Sequence, residues 1–193
     1  MTASMGLYFF AIAFVLAHLE IQIEGPHGWA ARLPTWRWDS PGVRRWAGKP
    51  ITGYHVFLLA FILLLIHLPQ MHVGFSLERE AETLSLFFLL ANFWDFLWFA
   101  CNPHYGLSRF RAGQVWWFKS WFLGLPVPYY QGLVLSLAIY LAPGLFSSTP
   151  LWQERLLRWG TVFAVFLVPT LLTAAIVTLT PRRKGALPEP AKD

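Results

Sequence analysis

Hydrophobic residues in this chain come in long runs separated by short polar stretches, and each run is long enough to cross a bilayer core as a helix, which takes roughly 20 apolar residues. The first run extends from about Met5 to Gln22 and the second from Ile51 to Leu68, where Pro69 is expected to stop it. The third extends from Thr83 to Cys101, stopped by Asn102-Pro103. The fourth covers about Pro126 to Phe146, with Pro143-Gly144 near its end, and the fifth about Trp159 to Thr180, stopped by Pro181. Pro169 lies inside the fifth run and predicts a kink, because proline removes one backbone hydrogen bond. The pattern predicts an all-α fold, a polytopic transmembrane bundle of five spans in one domain over residues 1–184. The Pro/Ala/Glu/Lys composition of 185–193 predicts a disordered tail.

The polar stretches set the orientation. Loop 23–50 carries Arg32, Arg37, Arg44, Arg45 and Lys49, loop 102–125 carries Arg109, Arg111 and Lys119, and the tail carries Arg182, Arg183, Lys184 and Lys192. Only Arg79, Arg155 and Arg158 fall on the other side. By the positive-inside rule the basic side faces the cytoplasm, so the N-terminus is outside and the C-terminus cytoplasmic. The first run lacks both a basic flank and a small-residue cleavage site, and so predicts a retained helix rather than a signal peptide.

Composition agrees. Of 193 residues, 56% are hydrophobic and 13% charged, about half the charge of a soluble domain. The net charge of +5 comes from residues flanking the apolar runs, which points to membrane lipids as partners and away from nucleic acid. The single cysteine, Cys101, cannot form an intramolecular disulfide or a multi-cysteine zinc site and predicts an ordinary small residue at a helix end. Eleven tryptophans are many for this length. Trp29, Trp36, Trp38, Trp46, Trp116, Trp117 and Trp121 lie in the two basic loops. One reading is an interfacial aromatic belt. The other is that the loops fold onto each other as a lid.

Ionisable residues inside the runs carry the candidate chemistry, because a charge in hydrocarbon is costly and by default functional. Glu20 and Glu24 share a helix face at i, i+4. His55 lies about one turn inside the second run. Asp95, among Phe93, Trp94, Phe96 and Trp98, lies roughly 9 Å from the cytoplasmic end of the third run. Glu20, Glu24, His55 and Asp95 thus fall at one depth. They suit a divalent transition metal such as Zn, Fe or Mn, and equally an acid–base pair or proton relay. The plainer reading pairs Glu20 and Glu24 with Arg32 or Arg37 at the interface and makes His55 a helix cap. His18, Asn92 and His104 are secondary candidates. His67, Met71 and His72 at the opposite face form a weak copper pattern, and Glu78, Glu80 and Glu82 after them a solvated acidic face.

The stretch Glu24-Gly-Pro-His-Gly-Trp-Ala-Ala-Arg-Leu-Pro-Thr-Trp-Arg37 resembles a group of small, uncharacterised bacterial and archaeal polytopic membrane proteins. So do Gly48-Lys-Pro-Ile-Thr-Gly-Tyr-His55, Asp95-Phe-Leu-Trp-Phe with Asn102-Pro103, and Trp116-Trp117 before Pro126 to Tyr130. The resemblance covers about residues 18–130 and implies a multi-pass protein of the bacterial or archaeal cytoplasmic membrane, with no settled activity or substrate. It implies an acidic residue near the place of Asn92 or Trp94 and a histidine at that of Phe118, so that this chain lacks potential ligands.

Three functions remain open. One is a metal-assisted or acid–base enzyme acting on a lipid or isoprenoid. Another is a non-catalytic subunit or assembly factor of a larger membrane complex, including a pigment- or haem-ligating variant. The third is a small carrier or channel, disfavoured by the lack of an internal repeat.

Overall fold

The computed structural model describes residues 1–146 and 151–180, and five of its helices are long and apolar enough to cross a membrane. They are α1 (Ala3–Glu24), then, after a short helix α2 (Pro41–Ala47), α3 (Gly53–Val73), α4 (Leu77–Cys101), α5 (Val127–Leu141, extended by a 3₁₀ turn Ala142–Phe146) and α6 (Trp152–Leu179). The all-α bundle of five spans is therefore as the apolar runs predict. The predicted tail at 185–193 lies outside the described residues.

Three boundaries differ from the sequence reading, each for a local reason. Helix α3 runs through Pro69 and ends at Gly74. Within lipid a missing proline N–H frees one carbonyl but leaves no water to compete for the rest of the helix, so the helix continues. Helix α4 starts six residues earlier than the apolar run. Ser76 caps it by accepting from Arg79 N at 3.2 Å, and Glu78 and Glu80 occupy its first turn, where the helix dipole favours acids. Helix α6 starts at Trp152 rather than Trp159, its first turns supported by a Glu154–Arg158 pair and by Arg155 reaching Glu78 at 2.5 Å. Pro169 lies inside α6 as expected.

Helix α4 is the axis of the bundle. It packs on α1, α5 and α6, and 56% of its apolar window is buried, against 11% for α3 at the edge. The buried stripe of α1, Gly6, Ala13, Ala17, Glu20, Ile21 and Glu24, packs on α4 and α6, with Gly6 against Val162 and Val165 of α6. Small residues at i, i+4 let two helix backbones approach closely, the usual means of packing without a hydrophobic drive between helices in lipid. The same stripe then delivers the two glutamates to the interior and turns them from lipid. Ser85, Ser136 and Trp159 tie α4, α5 and α6 together through buried hydrogen bonds of 2.9–3.0 Å.

The loops at the other end are compact. In the first, β1 (Arg37–Trp38) pairs antiparallel with β2 (Ile51–Thr52), with α2 between them. The second holds a 3₁₀ turn (Leu107–Arg109) and a hairpin of β3 (Trp121–Phe122) and β4 (Leu125–Pro126). They do fold onto each other. Lys119 Nζ donates to Arg44 O at 3.1 Å, and the buried Asn102 donates to Gly25 O at 2.8 Å while its Oδ1 accepts from His104 N and Tyr105 N. The tryptophans divide between the lid and its rim. Trp117 is buried and Trp29 half-buried in the lid, whereas Trp36, Trp38, Trp46 and Trp116 are exposed at the rim.

Gly28 shows how tight the lid is. Its φ is +61°, and a Cβ there would lie 2.4 Å from the Trp117 ring. Gly25 has a similar φ of +59° but open space around it. Gly28→Ala should therefore destabilise the protein by about 2–4 kcal/mol, from left-handed strain plus overpacking, and Gly25→Ala by only about 1 kcal/mol from strain alone. Denaturant unfolding in mild detergent, followed by tryptophan fluorescence, measures both. Equal losses would show that the Gly28–Trp117 contact does not hold the lid.

Candidate metal and acid–base chamber

The ends of α1, α3 and α4 meet beneath the lid and frame a cavity of about 160 Å³ lined by Glu20, Glu24, His55 and Asp95 together with Trp29, Trp94, Trp98 and Trp117. All four primary candidates face this one space.

Three of them converge closely. His55 Nε2 lies 3.8 Å from Glu20 Oε1 and 3.6 Å from Glu24 Oε1, and one donor atom from each residue falls within 4.8 Å of the others. Ligands bound at about 2.1 Å to a common ion are at most about 4.2 Å apart, so both histidine–carboxylate separations already fit a shared cation. The predicted pairing of the glutamates with Arg32 or Arg37 is not formed among the described residues. Arg37 donates instead to the carbonyls of Ala30 and Leu33.

Each member is fixed by a neighbour. Thr52 caps α3 by accepting from His55 N, and its Oγ1 lies 2.6 Å from His55 Nδ1. When Nδ1 carries the proton and donates to Thr52, Nε2 presents its lone pair to the carboxylates, the second-shell arrangement that orients a metal-binding imidazole. Trp29 stacks on the His55 ring at 4.0 Å and 17°. Glu24 accepts from Ala30 N. That bond requires the chain to turn back over the end of α1, and Trp29 and Ala30 both take φ near +50° to do so. Left-handed backbone costs a non-glycine residue about 1 kcal/mol or more and commonly marks a functional site.

Asp95 stands apart from the triad. It lines the cavity but accepts its hydrogen bond from Tyr129 OH on α5. Asn92, a turn before it on α4, donates to Tyr129 O at 3.0 Å and so positions this tyrosine rather than facing the chamber. The other secondary candidates fall away. His18 is exposed and bonds Phe14 O at 2.9 Å, and His104 is exposed at the loop surface. At the opposite face His67 pairs with Glu80 at 3.1 Å, while Met71 and His72 are exposed, so the copper pattern does not close.

Several residues missed by the sequence reading belong here. Lys49 counts only as a topology charge in sequence, yet its ammonium lies 3.2 Å from the Trp29 ring centroid and 5.0 Å from that of Phe118. Burial pushes its pKa down to about 8, while Asp95, Glu24 and Glu20 pull it back up. Tyr129 and Thr52 were also missed, because ordinary residue types gain their roles only from partners far along the chain. Trp94 Nε1 turns toward Glu20 without reaching hydrogen-bond geometry, and the buried Trp98 Nε1 makes no hydrogen bond among the described residues. Two indole donors on the wall of a polar cavity suit an oxygen-bearing ligand. Of the places where the resemblance implies ligands, Trp94 is on the cavity wall, Phe118 is over Lys49, and Asn92 is turned to Tyr129.

Lys49 gives the chamber a pH signature. Its folded pKa lies below the unfolded value, so between about pH 8 and pH 10.5 the unfolded chain holds a proton that the folded chain has released. Stability rises with pH wherever the unfolded state binds more protons. This group should therefore make the fold more stable as pH rises through that window, and Lys49→Met should remove that contribution. Denaturant midpoints at pH 8 and pH 10 for both proteins test it, and an identical pH response in the two would sink it.

In comparisons with known proteins, no family model matches this chain, and no curated protein or solved structure does.

Proposed function

We propose that this chain is a cytoplasmic-membrane protein that binds one divalent transition-metal ion through Glu20, Glu24 and His55 and performs metal-assisted acid–base chemistry on a lipid or isoprenoid. The convergence of the three donors on a point inside a membrane-spanning bundle carries this reading. Charge supports it: in ionised form the three carboxylates of the chamber exceed the single Lys49 ammonium by two negative charges, the deficit a divalent cation fills. A buried excess of this size is costly without a counter-ion.

The chain's own groups divide the work. The triad holds the ion, which polarises a substrate oxygen when bound. Asp95 would be the proton acceptor, taking the proton of a substrate C–H or O–H bond, and the ion held by the triad would supply stabilisation for the electron pair left behind. Tyr129 OH holds Asp95 in place. The tryptophan walls and the lid keep bulk water out, which strengthens each electrostatic contact. The basic loops face the cytoplasm on this reading, so the chamber opens toward that leaflet.

Metal analysis of the purified protein should find about one divalent ion per chain, lost in Glu24→Gln and His55→Ala and kept in Asp95→Asn. Thr52→Val should weaken the metal affinity roughly 10–100-fold, the usual cost of removing a second-shell partner. Metal content equal in wild type, Glu24→Gln and His55→Ala would instead favour a non-catalytic subunit held together by a polar network. The orientation has its own test. In a Cys101→Ser background, an impermeant thiol reagent applied to intact cells should label Phe75→Cys and leave Ser108→Cys unlabelled. The reverse pattern would invert the topology.

A further inference from the structure

A second cavity lies on the other side of Tyr129. It is a crevice of about 180 Å³ between α4, α5 and α6, walled by Phe93 and Phe96, by Leu133, and by Phe163, Leu167 and Leu171. Among the described residues no charged side chain lines it. The polar residues at its edge are turned away or already paired. Asn92 bonds the Tyr129 carbonyl, Tyr129 OH bonds Asp95, Tyr130 OH bonds Phe122 O at 3.0 Å, and the Thr170 hydroxyl is buried out of reach. The wall therefore offers only carbon, unlike the chamber, where carboxylates and indoles are exposed to the space.

Its position matches this lining. Phe163 to Leu171 covers nine residues of α6, about 12 Å along its axis, close to the roughly 15 Å hydrocarbon depth of one leaflet. The crevice begins near the loop end of the bundle, at Leu125 and Tyr130, and its mouth includes the exposed Leu171, which faces the surroundings of the bundle. Phe163 and Phe166 pack against Phe93 at 5.8 and 5.2 Å and close the back of this region with aromatic rings.

We propose that this crevice binds a single hydrocarbon chain, acyl or isoprenoid, of a lipid in the leaflet on the loop side, and that it is the substrate-positioning site of the chamber. Tyr129 is the link between the two: it lines the crevice, and its hydroxyl donates to Asp95, which lines the chamber. A chain lying along α5 and α6 brings the polar end of its lipid to the loop end of the bundle, where this pair is found. The link to the chamber rests on the function proposed above, but occupancy of the crevice does not.

The experiment uses the full-length protein in nanodiscs containing a phospholipid with a diazirine on one acyl chain. After illumination, labelled positions are mapped by peptide mass spectrometry and metal content is measured on the same samples. Labelling on the crevice residues of α5 and α6 should exceed, several-fold, that on the lipid-facing side of α3, around Phe61 and Leu65. Leu133→Trp and, separately, Leu167→Trp should fill the crevice and remove the excess. Labelling of α3 and the metal content should stay unchanged, which also shows that the variants are folded. Even labelling of α3 and the crevice, or an excess that survives both variants, would mean only annular lipid and overturn the proposal. Either result with metal still bound leaves the chamber reading intact, whereas crevice labelling without metal binding would separate the two the other way.

Discussion

Burying Glu20, Glu24 and Asp95 near one another at membrane depth is the constraint on which the rest of this structure depends. Like charges in a low-dielectric interior repel strongly, and water cannot be counted on to screen them. The bundle answers with fixed partners: the backbone N–H of Ala30 on Glu24, Tyr129 on Asp95 and the Lys49 ammonium above, while His55 faces both glutamates. These groups come from the first loop, α3 and α5. The first loop must therefore turn through two left-handed residues, Thr52 must cap α3, and α5 must begin beside α4. Features that look like separate details of loops and helix ends are one solution to one electrostatic problem.

The same requirement explains the lid. Lys49 and Trp29 both sit in the first loop, and neither could stabilise the chamber from a mobile segment. Phe118 and Trp117, from the second loop, hold them in place: Lys49 rests over the Phe118 ring, and Trp117 packs against Gly28. A cation held on aromatic faces is attracted by the ring quadrupoles without being neutralised. Lys49 keeps its charge for the carboxylates while its methylene stem is buried. Replacing such a contact by a direct lysine–carboxylate bond would quench one member of the chamber, and with it the excess negative charge that makes the triad attractive to a cation.

Much of this was legible in the sequence, but unevenly. The five spans follow from apolar run length alone, and the shared depth of Glu20, Glu24, His55 and Asp95 follows from counting residues to the helix ends. Helix rotation was harder to read. Glu20 and Glu24 share a face by periodicity, but only the small residues Ala13 and Ala17 on that face reveal that it packs inward. Likewise Asp95 shares a depth with the triad, yet its partner on α5 is 34 residues away and gives no local signal. Helix ends were misjudged where a cap outweighed hydropathy, as at Ser76, or where lipid tolerated a proline, as at Pro69. Lys49 was passed over because basic residues near spans carry topology information, and that role hid the second one.

Helix α4 resolves how a small bundle can keep a polar chamber and an apolar crevice so close together. Ala91, Trp94, Asp95 and Trp98 lie on one of its faces and line the chamber, while Phe93 and Phe96 lie on the other and line the crevice. A helix about 10 Å across separates the two environments, with its backbone polar groups satisfied internally. Asp95 lies at the border between these faces, which is why it bonds to Tyr129, a residue of the crevice wall, rather than joining the triad. A carboxylate in that position can exchange a proton with a group in the chamber while its tyrosine senses what occupies the apolar side. Moving the aspartate one residue in either direction would rotate it about 100° around the helix and place it wholly in one environment or against a neighbouring helix. The register of Asp95 on α4 is thus what places one carboxylate beside the Glu20, Glu24 and His55 cluster and, through Tyr129, next to the apolar crevice.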